Sequence, residues 1–315
     1  MQTAPAYDLV SYTFLFRICR RHPIQTQSMK LGLVGLLPND IRTLTAQHLR
    51  AIQSLKLTGA CFHVDSELLF ELTAADYQQV KLLYADHGMT LAQMGIGYSQ
   101  CLFDPDYAVR QHVINIISEG IQAAQEFNAD VALIRTGSLN PTGSYSASKK
   151  NHAPEAMGVL IDTLRTIATL AESAGQTIVI GTHVLTILNS PELIVEVTRQ
   201  VGSDQIRIVM DYVNHFQTLS QIYSSTIRLN YIFDTMGELC PVAHIKDISV
   251  RDNFVLHFDE ALPGEGELDL ACAVRHWQRL RPHGYMLLEH LPAEAYARAA
   301  ANVMRIAQEA GVPIT

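Results

Sequence analysis

The stretch Gln205-Ile206-Arg207-Ile208-Val209-Met210-Asp211 sets four large apolar side chains in seven positions and stops on a carboxylate. A run this short, apolar without strict alternation, reads as a strand buried on both faces. Working outward, seven similar runs flank it. Leu31 to Leu36, Gly59 to Val64, Thr90 to Gly95, Asp130 to Thr136 and Thr177 to His183 precede it, and Pro241 to Lys246 and Gly284 to Glu289 follow. Each interval has room for a helix and two loops, so the strands are expected to be parallel. Eight parallel strands buried on both faces most naturally close on themselves, which predicts a (β/α)8 TIM barrel as a single domain over residues 29–315. An open doubly wound sheet is the competitor. The first strand-to-helix junction, Gly35 to Asp40, carries no G-x-G-x-x-G phosphate fingerprint.

The intervals carry helix signals of their own. Ser190-Pro191-Glu192 supplies an N-cap, a first-turn proline and an early acid. Tyr107 to Phe127 places Val113, Ile116, Ile117, Gly120, Ile121 and Ala124 on one stripe, and Pro154 to Ala174 repeats the arrangement before a C-cap at Gly175. A further helix is expected over Thr43 to Leu55, after Pro38-Asn39-Asp40. Residues 1–28 read as an N-terminal extension. Its Tyr7, Tyr12, Phe14, Leu15 and Phe16 are too apolar for a solvated tail, so the arm is expected to pack on the barrel or on a second copy in a homo-oligomer.

Composition narrows the function. With 315 residues, 48% of them hydrophobic, there is ample core material, yet no apolar run approaches the roughly 18 to 20 residues of a membrane span. A net charge of -8 repels a phosphate backbone, which argues against nucleic acid. Five scattered cysteines without a C-x-x-C pair suggest neither a disulfide framework nor a thiolate zinc site. Tyr12 to Arg21 runs from apolar to basic, the reverse of a secretory leader, and a cytoplasmic location is expected.

Chemistry in a barrel of this kind sits where the strands finish. Five runs end on groups that chemistry can use: Arg135-Thr136, Thr182-His183, Asp211, His244-Ile245-Lys246-Asp247 and Glu289-His290. Asp211, His244 and Glu289 lie on three successive strands and can converge near the axis. Two carboxylates and an imidazole suit one divalent cation, Mn²⁺ first, with Mg²⁺, Co²⁺ or Zn²⁺ as alternatives. Taken singly, each is as well explained as a strand-terminal polar group satisfied by loop backbone.

These residues carry a resemblance. Arg135-Thr136-Gly137-Ser138-Leu139-Asn140, Thr182-His183, Met210-Asp211-Tyr212-Val213-Asn214, His244-Ile245-Lys246-Asp247, Pro263-Gly264-Glu265-Gly266 and Leu288-Glu289-His290, in that order, resemble the xylose isomerase-like TIM barrels over about Lys30 to Pro313. That superfamily includes sugar and sugar-phosphate isomerases and epimerases. The resemblance implies a metal held by a fifth-strand glutamate, a sixth-strand aspartate, a seventh-strand histidine and an eighth-strand glutamate. Asp211, His244 and Glu289 match the last three. At the first position, two before His183, stands Gly181.

The family's two glutamates also flank the substrate carbon as paired bases, so Gly181 removes one of them. It reads as a position that carries Glu in an active form, as a natural three-ligand variant, or as the mark of a barrel that has lost catalysis. The intact flanking pattern favours the first. A strand-end glycine allowing close backbone approach is the plainer explanation.

Glu289 is then ligand and proton carrier together, and Lys246 and His183 are further catalytic candidates. Lys246 also has a simple reading as an ion-pair partner of Asp247, and His183 as a core histidine bonded to backbone. Arg135 is a substrate-binding candidate, with a salt bridge to Asp211 or Glu289 as its alternative. The long loop Gly137 to His152 reads as a lid that offers Asn140 and His152 to the substrate. The connection Ile248 to Glu267 is expected to close the other side of the mouth or to meet a second subunit.

The expected activity is metal-dependent isomerisation or epimerisation of a sugar-like carbonyl compound. Two alternatives stand beside it: a lyase resembling the barrel subunits of C-glycoside deglycosidases, which use a small partner subunit, and a non-catalytic sugar-binding barrel. Endonuclease IV, of the same superfamily, needs many histidines around its metal ions and a basic face, and the sparse imidazoles at these strand ends and the acidic balance argue against it.

Overall fold

The computed structural model describes residues 28–315; the expected N-terminal arm, apart from Ser28, lies outside them. Eight parallel strands, Lys30–Val34, Gly59–Asp65, Met94–Gly97, Ala132–Arg135, Ile178–Gly181, Ile206–Met210, Val242–His244 and Tyr285–Leu288, form a closed barrel in sequence order. The eighth closes on the first, with Leu33 opposite Leu288.

Each strand is followed by helix, the principal ones being Ala46–Ser54, Ala74–Asp86, Tyr107–Glu126, Ala156–Ala174, Pro191–Val201, Ser225–Met236, Leu270–Leu280 and Tyr296–Glu309. Ser190 caps its helix by accepting from the Leu193 N–H, and Gly175 ends another at a left-handed φ of 68°. Among the described residues, no helix is long and apolar enough to cross a membrane.

Two elements start three or more residues later than expected. The helix foreseen from Thr43 begins at Ala46, because Asp40 first caps a separate 3-10 turn, Ile41–Thr43. The third strand begins at Met94 rather than Thr90, which makes only an isolated bridge to Gly59. The intervening Leu91, Ala92 and Gln93 are buried in irregular backbone.

Strand geometry then places the polar ends. Side chains alternate between faces, and Leu133, Val179, Val209, Val242 and Leu287 belong to the small apolar cluster inside the barrel. Their even-numbered neighbours Ile134, Ile180, Ile208, Met286 and Leu288 pack outward in the main core beneath the helices. Two residues beyond each interior side chain come Arg135, Gly181, Asp211, His244 and Glu289, so period two alone aims all five at the axis.

The connection after the seventh strand is more ordered than its sequence suggests. Asp247–Val250 and Phe258–Ala261 pair as an antiparallel hairpin. Its root is the buried Asp247, whose carboxylate accepts from the backbone N–H groups of Ile248, Gly264, Gly266 and Leu268 at 2.9 to 3.1 Å. This explains the G-x-G: Gly264 sits at φ +85°, and a Cβ on Gly266 would stand 2.4 Å from Asp247 Oδ1. Asp247 is therefore occupied by backbone and does not pair with Lys246.

Replacing Asp247 with Ala strands four N–H donors. We expect a loss of about 3 kcal/mol in urea unfolding and collapse of amide-exchange protection at Gly264, Gly266 and Leu268. Unchanged protection at those three amides would refute this assignment.

Candidate metal centre

At the mouth of the barrel a cavity of about 520 Å³ is lined by Arg135, Tyr145, Gly181, His183, Asp211, His244, Glu260, Glu289 and His290, among others. In its floor Asp211, His244 and Glu289, all buried, bring one ligand atom each to within 4.8 Å of one another. His244 Nδ1 lies 2.8 Å from Glu289 Oε1 and 3.5 Å from Asp211 Oδ2. On the far side of the ring, Nε2 is 3.0 Å from Gln93 Oε1. A donor Nε2–H in that contact turns Nδ1 toward the carboxylates, an outer-shell orientation common to metal-binding histidines.

Lys246 enters the same cluster. Its buried ammonium is 2.7 Å from Asp211 Oδ2 and 2.6 Å from Glu289 Oε1. The Tyr212 hydroxyl fixes the lysine's backbone, donating to Lys246 O at 2.8 Å and accepting from Lys246 N–H at 3.2 Å. Burial alone raises the pKa of Glu289, but His244 and Lys246 outweigh it and hold the carboxyl well below its ordinary range. Burial likewise raises Asp211, and Lys246 and His244 reverse the sign. For His244 burial pulls down, yet Glu289 and Asp211 lift it to about 9.

These residues fit a divalent cation. Once His244 gives up its proton, one ammonium against two ionised carboxylates leaves negative charge in the floor, and Asp211 Oδ1 is buried without a hydrogen-bond partner. A buried carboxylate oxygen is seldom left so, and it marks a place for a ligand.

The remaining candidates divide. His183 lines the cavity, and its Nδ1 accepts from the Leu185 N–H at 3.1 Å. Arg135 also lines it but makes no salt bridge to Asp211 or Glu289. Its guanidinium lies over the Tyr98 ring and donates to Tyr98 O at 2.7 Å, leaving Nε buried and unpartnered. Asn140 and His152 are not among the cavity's lining residues. Asn140 orders its own loop, donating to Ala147 O and accepting from the Thr142 N–H, while His152 is exposed in the short turn Lys149–His152.

Sequence reasoning missed several contributors. Glu260 reaches the rim from the hairpin and lies 3.1 Å from His290 Nδ1. Gln93 had no signal beyond being polar in an apolar run. Tyr145, on the loop Gly137 to His152, brings its hydroxyl down to Gly181, where a Cβ would be 2.5 Å away. Burial pushes that hydroxyl up to about 12, so it is protonated at neutral pH.

Eight parallel strands with an acidic, histidine-bearing rim define a TIM barrel with a candidate metal centre. The chain belongs to the xylose isomerase-like TIM barrel family, whose sequence pattern matches residues 49–307. No curated protein matches it in sequence. Among solved structures it is similar to 3-keto-D-glucoside 4-epimerase, YcjR, from E. coli, with TM-score 0.65 and 18% identity over 88% of this chain and 99% of that one. A xylose isomerase-like TIM barrel protein from Mycobacterium smegmatis in complex with magnesium gives 0.67 and 16% over 90% and 97%. D-Psicose 3-epimerase with D-tagatose from Clostridium cellulolyticum H10 gives 0.67 and 11% over 90% and 100%.

His215, fully buried with Nε2 3.1 Å from Thr182 Oγ1, has its pKa lowered by burial to about 4. The unfolded chain takes up this proton near 6.5 and the folded one does not, so the stability is complete above pH 6.5 and is lost as pH falls toward 4. Unfolding free energy should drop by about 2 kcal/mol between pH 8 and pH 5 from this group. The variant His215→Gln should lose that part of the slope in urea titrations; an unchanged slope would assign it elsewhere.

Proposed function

We propose that this chain is a divalent-metal-dependent isomerase or epimerase of a sugar or related polyhydroxylated carbonyl compound. The observation that supports this most directly is the convergence of Asp211, His244 and Glu289 within 4.8 Å, with Asp211 Oδ1 buried and unsatisfied. Ligand chemistry favours Mn²⁺, with Mg²⁺, Co²⁺ and Zn²⁺ suited to the same mixed set. When bound, such an ion polarises adjacent substrate oxygens and acidifies the neighbouring C–H.

The chain's own groups have separate tasks. Glu289, kept ionised by Lys246 and His244, takes the proton beside the carbonyl. The buried Lys246 ammonium holds both carboxylates in place. His183 and Arg135, at the wall, are placed to hold substrate hydroxyls. For Asn140 or His152 to touch substrate, their loop must fold further over the mouth. A cytoplasmic setting accords with the four cysteines that are buried and unpaired among the described residues.

A lyase reading draws on one observation, Gly181, which leaves a single rim carboxylate among the two expected bases. Such a site can still abstract a proton beside a keto group and expel a substituent. Assays with free ketoses and with 3-keto C-glycosides separate the two activities. A small partner subunit would accompany the lyase.

Calorimetric titration with Mn²⁺ should show one site per chain, lost in Asp211→Asn and Glu289→Gln. A cation must displace the proton on His244, so affinity should rise between pH 6.5 and 8.5. Absence of binding at both pH values would leave a non-catalytic sugar-binding barrel.

The variant Gln93→Leu should weaken the metal by about 10- to 100-fold by releasing the His244 ring. Wild-type affinity in that variant would remove Gln93 from the site.

A further inference from the structure

We infer that Tyr145 takes the place of the fifth-strand carboxylate, its hydroxyl delivering a proton to the substrate carbon from across the mouth, opposite Glu289. The assignment rests on the sugar isomerase or epimerase reading above and names the second acid–base group which that reading otherwise lacks.

Strand alternation aims residue 181 at the axis, level with Val209 on the neighbouring strand and one interior position before Asp211. With no side chain there, the space is taken by a group from another element. The Tyr145 hydroxyl would lie 2.5 Å from a Cβ on Gly181, closer than two such atoms can approach, so glycine and tyrosine are fitted to each other.

Tyr145 is held from outside the barrel. Its ring centroid is 5.8 Å from that of His183. The loop around it is bonded internally: Ser138 Oγ donates to Ser146 O at 2.6 Å, and Asn140 Nδ2 donates to Ala147 O at 2.8 Å. The residue is 37% exposed, yet its hydroxyl faces the cavity that holds Asp211 and Glu289. It thus runs from solvent to the reacting centre, as a group that must regain a proton requires.

The step balances without a co-reactant. The C–H bond beside the carbonyl breaks and its proton passes to the Glu289 carboxylate. The resulting enediolate carbon takes the proton of Tyr145, forming a C–H bond on the opposite face and leaving a phenolate. Solvent then reprotonates the phenolate and removes the proton from Glu289.

Y145F, G181A and the double variant, each loaded with Mg²⁺ and checked for folding by circular dichroism, separate the outcomes. D-fructose, D-tagatose and a 3-keto-glucoside in D2O serve as probes, followed by NMR. Y145F should still exchange the proton beside the carbonyl within about threefold of wild type, while formation of the new isomer falls at least about tenfold. G181A should mimic it by displacing the hydroxyl, and the double variant should be no worse than Y145F, since phenylalanine has no oxygen to displace. Equal loss of exchange and product in folded Y145F, or additive losses in the double variant, would overturn the assignment and leave the sugar reading standing. Wild-type protein that exchanges none of the probes would instead overturn the sugar reading and the assignment with it.

Discussion

Two carboxylates buried at one end of an apolar barrel are costly unless countercharge lies within contact distance, and the architecture of this rim follows from meeting that need. Asp211 and Glu289 share the ammonium of Lys246 and the imidazole of His244. Remove either cation and the remaining charge is stranded in the interior. The same arrangement keeps both acids ionised at neutral pH, the state in which they can hold a cation or accept a proton.

The barrel was legible in the sequence because its strands are apolar runs punctuated by helix signals. The metal-site candidates were legible for a related reason: Asp211, His244 and Glu289 each stand two residues past an interior hydrophobic residue, where charge is conspicuous. What escaped notice depends on tertiary contact. Lys246 and Asp247 are adjacent and opposite in charge, so pairing them was natural, but successive side chains diverge. Lys246 turns inward to Asp211 and Glu289, and Asp247 turns to four backbone donors.

Gly181 shows the same limit. Sequence context marks it as a departure from the family's pattern, with the flanking residues arguing for a removed glutamate. It gives no hint that a tyrosine 36 positions earlier reaches into the gap. Likewise the segment Ile248 to Glu267 has weak strand character, and its hairpin is imposed by the Asp247 carboxylate rather than by propensity. Arg135 could have joined the acidic floor but is diverted to Tyr98.

The hairpin root has a mechanical consequence. His244, Lys246 and Asp247 lie within four consecutive positions, so the cation site and the anchor of the hairpin are geared together through one short piece of backbone. A swing of the hairpin would drag the imidazole and the ammonium with it. The loop bearing Tyr145 meets the same cavity from the other strands, through a side chain rather than through shared backbone.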